Sequence, residues 1–203
     1  MASGKEKRKK KKEEEKLSWD KSLILYLHDW LYLLMAILLV FLVFFRVIVV
    51  SGESMYSTLL EGDYLLLLNN VFYHDPQRGD IVVISKETFD DGSTIVKRVI
   101  ATEGQTVDID FENGIVYVDD VALEEDYINN LTTNSWGVSF PQTVEEDCIF
   151  VLGDNRGVSL DSRSPLIGQI DRREVLGKAI YLFLPGTNGG QLPQDKNRIG
   201  AIG

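Results

Sequence analysis

The chain of 203 residues contains one cysteine, Cys148. No disulfide can close within it, and no cysteine cluster of zinc-binding type exists. Histidine is almost as scarce, with His28 and His74 alone. Only one apolar run is long enough to cross a bilayer, so the sequence reads as single-pass. Basic residues are rare over most of the length: residues 30–203 hold 12 Lys/Arg against 25 Asp/Glu, a net charge of −13. Such acidity excludes a nucleic-acid partner, because phosphate backbones reward clustered cations. Residues 1–29 are the exception, with 9 Lys/Arg, 6 Asp/Glu and a net charge of +3. The basic run Lys5 to Lys12 precedes the apolar segment and reads as a topology signal, which places the N-terminus in the cytoplasm.

Trp30 to Phe45 is unbroken apolar sequence; Arg46 interrupts it, and Val47 to Val50 continue. As a helix, residues 30–50 would span roughly 31 Å, about one hydrocarbon core. Arg46 near one end can snorkel to headgroups, and Trp30 and Tyr32 suit the other interface. The run is long for a cleavable leader and no small-residue cleavage site follows it, so a retained anchor is expected.

Beyond the anchor the pattern is strand and turn. Strands are expected at Tyr64–Leu68, Asp80–Ser85, Thr94–Ala101, Thr106–Phe111, Ile115–Val118, Cys148–Leu152 and Glu174–Leu184. Asn113-Gly114 reads as a hairpin turn. The expected class is mainly β: an antiparallel barrel or sandwich with a small β-ribbon insertion, preceded by one transmembrane helix. The divisions follow as a cytoplasmic basic tail over 1–29, a transmembrane helix over 30–50 and an extracytoplasmic domain over 51–185. Within that domain an inserted subdomain occupies about 102–147; residues 186–203, rich in Gly, Asn and Gln, should fray as a flexible tail.

Three groups of residues carry possible chemistry. Ser54 follows Gly52, which permits the tight backbone approach that a nucleophile and its oxyanion site need; the same residues also suit an ordinary strand-entry turn. A serine nucleophile needs a base. His74 sits among polar turn-forming residues and reads as a surface loop residue, which leaves lysine. Four lysines follow the apolar run, and Lys97 is distinctive. Alternation places it between Ile95 and Val99 on one face, with Arg98 between Val96 and Ile100 on the other. Desolvation there would lower its pKa, whereas an edge-strand position would let it snorkel to solvent. The third group is Gly153 to Arg163, where two acids, two arginines and two serines directly follow a core strand.

Together these blocks resemble the type I signal peptidases, membrane-bound serine proteases that remove signal peptides. Ser51-Gly52-Glu53-Ser54-Met55-Tyr56-Ser57-Thr58-Leu59, Gly79-Asp80-Ile81-Val82-Val83, Val96-Lys97-Arg98-Val99-Ile100 and Gly153 to Arg163 match in order. With the anchor the resemblance covers residues 30 to about 184 and is closest to the Gram-positive bacterial branch. It implies Ser54 as nucleophile, Lys97 as general base, and Ser159 as the hydrogen-bond partner that orients Lys97. The Ser54 N–H would donate to the oxyanion; Gly52 stands where some relatives carry a second, hydroxyl donor. Arg98 with Asp154, and Asp161 with Arg163, would form structural ion pairs, and Met55 would line the substrate groove. The implied substrates are signal-peptide-bearing preproteins with small residues at the first and third positions before the cut. The implied enzyme is a cell-membrane monomer anchored in the lipid bilayer, cutting at the outer face without a metal or organic cofactor. Two departures stand out: Ser57 replaces the family's usual proline, and Ala101 to Gln105 replaces a Gly-Leu-Pro-Gly-Asp-like turn. A self-cleaving regulator is disfavoured by the anchor, and a non-catalytic peptide-binding domain by the joint presence of Ser54, Lys97 and Ser159.

Overall fold

The structure is a computed structural model. It describes residues 2–86, 94–192 and 195–202, with backbone alone for residues 2–18 and 20. Residues 1, 193, 194 and 203, which fall in the expected terminal segments, lie outside the described residues. Two units form, Met1–Val43 and Phe44–Gly203.

The first unit lies within one helix, α1 (Ala2–Phe44). Its Lys21–Phe44 stretch of 24 residues has a mean hydropathy of 2.2 and is long and apolar enough to cross a membrane. Every side chain from Lys21 to Phe44 is exposed, and a helix apolar all round suits lipid. Of the expected span of 30–50, residues 30–44 lie in this helix. Phe45–Val49 is not helical but forms strand β1. The β-branched Val47, Ile48 and Val49 favour the extended chain, and β1 has a partner in β2 (Tyr64–Asn69), with Phe45 opposite Leu68 and Val49 opposite Tyr64. Arg46 therefore stands on a strand opposite Leu67, not at a helix end.

The second unit is built on β1, β2, β3 (Ile81–Ser85), β4 (Thr94–Thr102), β5 (Thr106–Asp110), β6 (Ile115–Val118), β7 (Val121–Ala122), β8 (Gln142–Thr143), β9 (Cys148–Leu152), β10 (Ile170–Asp171), β11 (Val175–Leu184) and β12 (Gly200–Ala201). Pairing is antiparallel throughout. One sheet runs β1-β2-β11-β3-β4-β9-β10 with β12 against β11; the other runs β7-β6-β5-β8. The smaller sheet occupies the expected insertion, and Gly114, at a positive φ of 72°, closes the β5–β6 turn with its N–H on Asp110 O. The two sheets share a core of Ile100, Ala101, Phe150 and Leu152 against Val107, Ile109, Val116 and Val118. A mainly antiparallel β fold behind an N-terminal apolar helix is what the sequence pattern requires.

The described residues of the C-terminal segment, expected as a flexible tail, make specific contacts with the domain. Asp63, fully buried, accepts from the Gly186 N–H at 2.6 Å and pairs with Arg198 at 2.6 Å. β12 then adds to β11, with Ala201 opposite Tyr181. Composition alone conceals this, because the partner that holds the segment lies more than 120 residues upstream. Truncation after Pro185 should lower the thermal midpoint measured by calorimetry; an unchanged midpoint would contradict these contacts. The loss of the Arg198 and Gly186 bonds to a buried carboxylate sets the scale, at about 1.5–3 kcal/mol per charged hydrogen bond.

Candidate active site

Ser54 lies in the β1–β2 connection, ten residues along the chain from Phe44. The base of that connection is closed by Val50 N–H to Asp63 O and Gly62 N–H to Val50 O. Met55 and Leu59 drive into the core beneath it, beside Val50, Leu65, Ile81, Ala179 and Leu182. Ser54 is thereby left between two anchored ends. Gly52 is required for its positive φ of 86°; a Cβ there would meet no other residue within 4 Å, which leaves the space beside Ser54 open.

Lys97 projects from β4, near the middle of the larger sheet. Its Nζ lies 2.7 Å from Ser54 Oγ and 3.1 Å from Val96 O. The side chain is 3% exposed. Burial is the main reason that its pKa is held down to about 8; Asp161 and Asp154 pull it upward and Arg163 pushes it down. The expected neighbour arrangement holds: Ile95 and Val99 pack on one side of the sheet, Val96 and Ile100 contribute to other core clusters, and Arg98 is buried too.

The Gly153–Arg163 loop leaves β9, the strand beside β4. Its charges are internal, not solvated. Asp154 accepts from Arg98 Nε at 2.8 Å and Nη2 at 2.7 Å. Asp161 accepts from Arg163 Nε and Nη2, each at 2.8 Å, and from the Gly153 N–H at 3.0 Å. Both expected ion pairs are present and both are buried. The Arg98–Asp154 contact holds the guanidinium pKa above its ordinary value, against the opposing effect of burial. Gly153 admits no side chain: a Cβ would lie 2.1 Å from Ser159 Oγ and 2.5 Å from Ser54 O. Ser159 is not hydrogen-bonded to Lys97 as expected. Its Oγ is buried without a partner among the described residues, and Lys97 Nζ turns to Ser54 and Val96 instead.

The cleft over Ser54 has a volume of about 370 Å³ and is walled by Ile48, Val50, Met55, Val96, Lys97 and Leu160 among others. Met55 is only 1% exposed, so it serves the core and the cleft wall together. His74 is exposed on the β2–β3 connection and does not line this cleft. Among the described residues no group of three or more His, Cys, Asp or Glu is arranged to hold a metal.

Residues 23–184 match the family model described as signal peptidase, peptidase S26. The chain belongs to the signal peptidase family. The relatives include a probable signal peptidase I-1 of Synechocystis sp., 36% identical over 150 residues, covering 70% of this chain and 73% of that one. Signal peptidase I T of Bacillus subtilis is 34% identical over 182 residues, covering 83% and 86%. A crystal structure of a signal peptidase I from Enterococcus faecalis is 31% identical, with a TM-score of 0.42, covering 51% of this chain and 96% of that one. The apolar helix fits the membrane anchorage expected of this chain.

Several residues at the family site were not singled out from sequence. Thr58 Oγ1 donates to Asp154 Oδ2 at 2.5 Å and so ties the nucleophile loop to the buried ion pair. Asn155 donates from its backbone to Ser54 O and from Nδ2 to Glu53 O, both at 3.0 Å. Tyr127 stacks under Arg98, with the guanidinium carbon 4.0 Å from the ring centroid. Arg156, also buried, pairs with Glu125 and donates to Thr132 and Gly153 O. None carries a signal of its own: each acts through a partner remote in sequence, and only pairing of the strands brings them together.

Proposed function

We propose that this protein removes signal peptides from exported preproteins as a serine endopeptidase, with Ser54 as nucleophile and Lys97 as general base. The observation that carries the reading is the 2.7 Å contact between Lys97 Nζ and Ser54 Oγ in a buried setting that holds the amine near pKa 8. A neutral amine takes the Ser54 proton as Oγ bonds to the scissile carbonyl carbon. The resulting ammonium returns that proton to the leaving amine as the C–N bond breaks, which leaves an acyl-enzyme. Water then attacks the ester; Lys97 takes its proton and returns it to Ser54. The Ser54 N–H, which has no acceptor among the described residues, is the proposed oxyanion donor.

The substrate enters as an added strand. β9 pairs with β4 only from Arg98 onward, so Thr94–Lys97 has a ladder partner on the β3 side alone. β1 is the terminal strand of its sheet and lines the same cleft. Two strand edges therefore face the space over Ser54, and an extended cleavage segment would pair there. The apolar walls suit small side chains before the cut. The basic N-terminal tail supports a cytoplasmic N-terminus with the β domain on the outer face.

Incubation of the purified full-length protein with an Ala-x-Ala precursor peptide, with product masses read directly, tests the assignment. One cut after the second alanine is expected, and no cut would overturn it. Activity should rise with pH through about 8 as Lys97 loses its proton, and fall on acidification. A flat profile from roughly pH 6 to 9 would remove Lys97 from the role of base.

A further inference from the structure

A second cavity adjoins the catalytic cleft. It has a volume of about 300 Å³ and is lined by Glu53, Tyr56, Asn129, Asn155, Asn188, Gln191 and Leu192. Glu53 lines both spaces, so the two meet at the residue before Ser54. Their chemistry differs. The cleft over Ser54 is walled mainly by aliphatic side chains, whereas this cavity is walled by a carboxylate and four side-chain amides.

Asn188 gives the cavity its purpose. The residue is 7% exposed, and its Oδ1 is buried with no hydrogen-bond partner among the described residues. A buried carbonyl without a donor is costly, and such a group calls for an explanation. Asn188 also sits at a positive φ of 49°, a conformation that asparagine tolerates better than most residues. Its backbone is fixed by its own N–H on Glu61 O at 3.1 Å and by the Gln191 N–H on its carbonyl at 3.2 Å. The amide is therefore held in place, not left loose on the surface. Asn155 is already committed, since Nδ2 donates to Glu53 O and Oδ1 accepts from Asn129 Nδ2 at 3.3 Å. Asn188 Oδ1 thus has no donor among the described residues, and Glu53 is the one carboxylate in the lining.

We propose that this cavity is the subsite for the first residues of the mature chain, selective for donor-bearing side chains such as lysine and against carboxylates. The proposal rests on the signal peptidase reading of Ser54 and Lys97. A peptide whose apolar signal side lies over Val50, Val96 and Leu160 continues past Ser54 toward Glu53. The part after the cut is thereby delivered to the polar cavity. Asn188 Oδ1 accepts from the incoming donor and Glu53 supplies the complementary charge. One wall, Asn188 to Leu192, comes from the C-terminal segment that Asp63 holds against the domain.

The test uses three precursor peptides that are identical up to the cut and carry Lys, Ala or Asp over the first three mature positions. The full-length enzyme should show kcat/KM for the Lys peptide roughly tenfold above that for the Asp peptide. Asn188→Gly, which keeps the positive φ and deletes the acceptor, and Glu53→Gln should each shrink that ratio to about twofold or less. Equal rates for all three peptides in the unmodified enzyme, or a ratio that survives both substitutions, would overturn the subsite. Dissociation constants of the same peptides for Ser54→Ala and for Ser54→Ala with Asn188→Gly separate the two levels of inference. If the enzyme cuts none of the peptides yet Ser54→Ala prefers the Lys peptide through Asn188, the peptidase reading falls and the binding site stands. If cutting occurs without preference in rate or binding, the binding site falls and the peptidase reading stands.

Discussion

Lys97→Met is expected to lower kcat/KM on a precursor peptide by about 10⁴-fold or more, and Ser54→Ala by a similar factor, because each removes half of one proton-transfer unit. The double variant should be hardly worse than either single one, since groups that act as a unit are not additive. Substantial activity in purified Lys97→Met would end the Ser/Lys assignment. The same substitution carries a second, opposite expectation for stability. Lys97 has a folded pKa of about 8 against an ordinary 10.5. The unfolded chain therefore binds more protons between those values, and stability from this group rises with pH across that window. Below about pH 8 the native state carries the whole cost of an ionised buried amine, on the order of 3 kcal/mol at ~1.36 kcal/mol per unit. Methionine fills similar volume without charge, so Lys97→Met should raise the midpoint of chemical denaturation at neutral pH, with the gain shrinking as pH rises toward 10.5. An enzyme that is dead yet more stable is the expected signature of a site that keeps a costly group for its chemistry.

Asp154→Ala should destabilise the domain by about 3–5 kcal/mol, the range for removing one partner of a buried ion pair. The carboxylate is fully buried and serves both Arg98 and Thr58. Its loss leaves the guanidinium over Tyr127 without its anion and frees the loop that carries Ser54. For a chain of this size the thermal midpoint should fall by roughly 6–20 °C. Asp154→Asn should fall between, because the amide oxygen can still accept one bond but carries no charge. A midpoint within about 2 °C of the unmodified protein for Asp154→Ala would show that Arg98 finds another partner, and the proposed tie between ion pair and nucleophile loop would be wrong.

The β domain was largely legible. All seven expected strands are present, each within one residue at either end, because alternating or continuous apolar runs bounded by turn residues admit few other readings. Lys97 was visible for the same reason: a cation flanked by apolar residues on both faces of a strand has few benign explanations. The failures share one physical origin. Phe45–Val49 is as apolar as the helix before it, and hydropathy has no means to separate a lipid-facing turn from a strand whose partner lies in Leu65–Leu68. The tail past Pro185 looks polar and loose until Asp63 is known to await Arg198. Ser159 was assigned by resemblance, and local geometry departs from it: Ser159 Oγ has no hydrogen-bond partner among the described residues. Insertion sheet and ion pairs were readable as separate parts, but the bonds of Thr58, Asn155 and Arg156 that join them were not.

With Lys97 as the proposed base, its burial also sets when the site becomes competent. Ser54 and Lys97 are 43 residues apart in sequence, and Arg98 and Asp154 are 56 apart. Until β3, β4 and β9 pair, Lys97 is a hydrated amine at its ordinary pKa, and Ser54 is an ordinary alcohol. Sheets closed by such distant contacts assemble late, over milliseconds to seconds. A chain still emerging from synthesis therefore carries both reactive residues in an inert form. Competence would then arrive with the completed domain, so the fold acts as a safety catch on the proposed dyad.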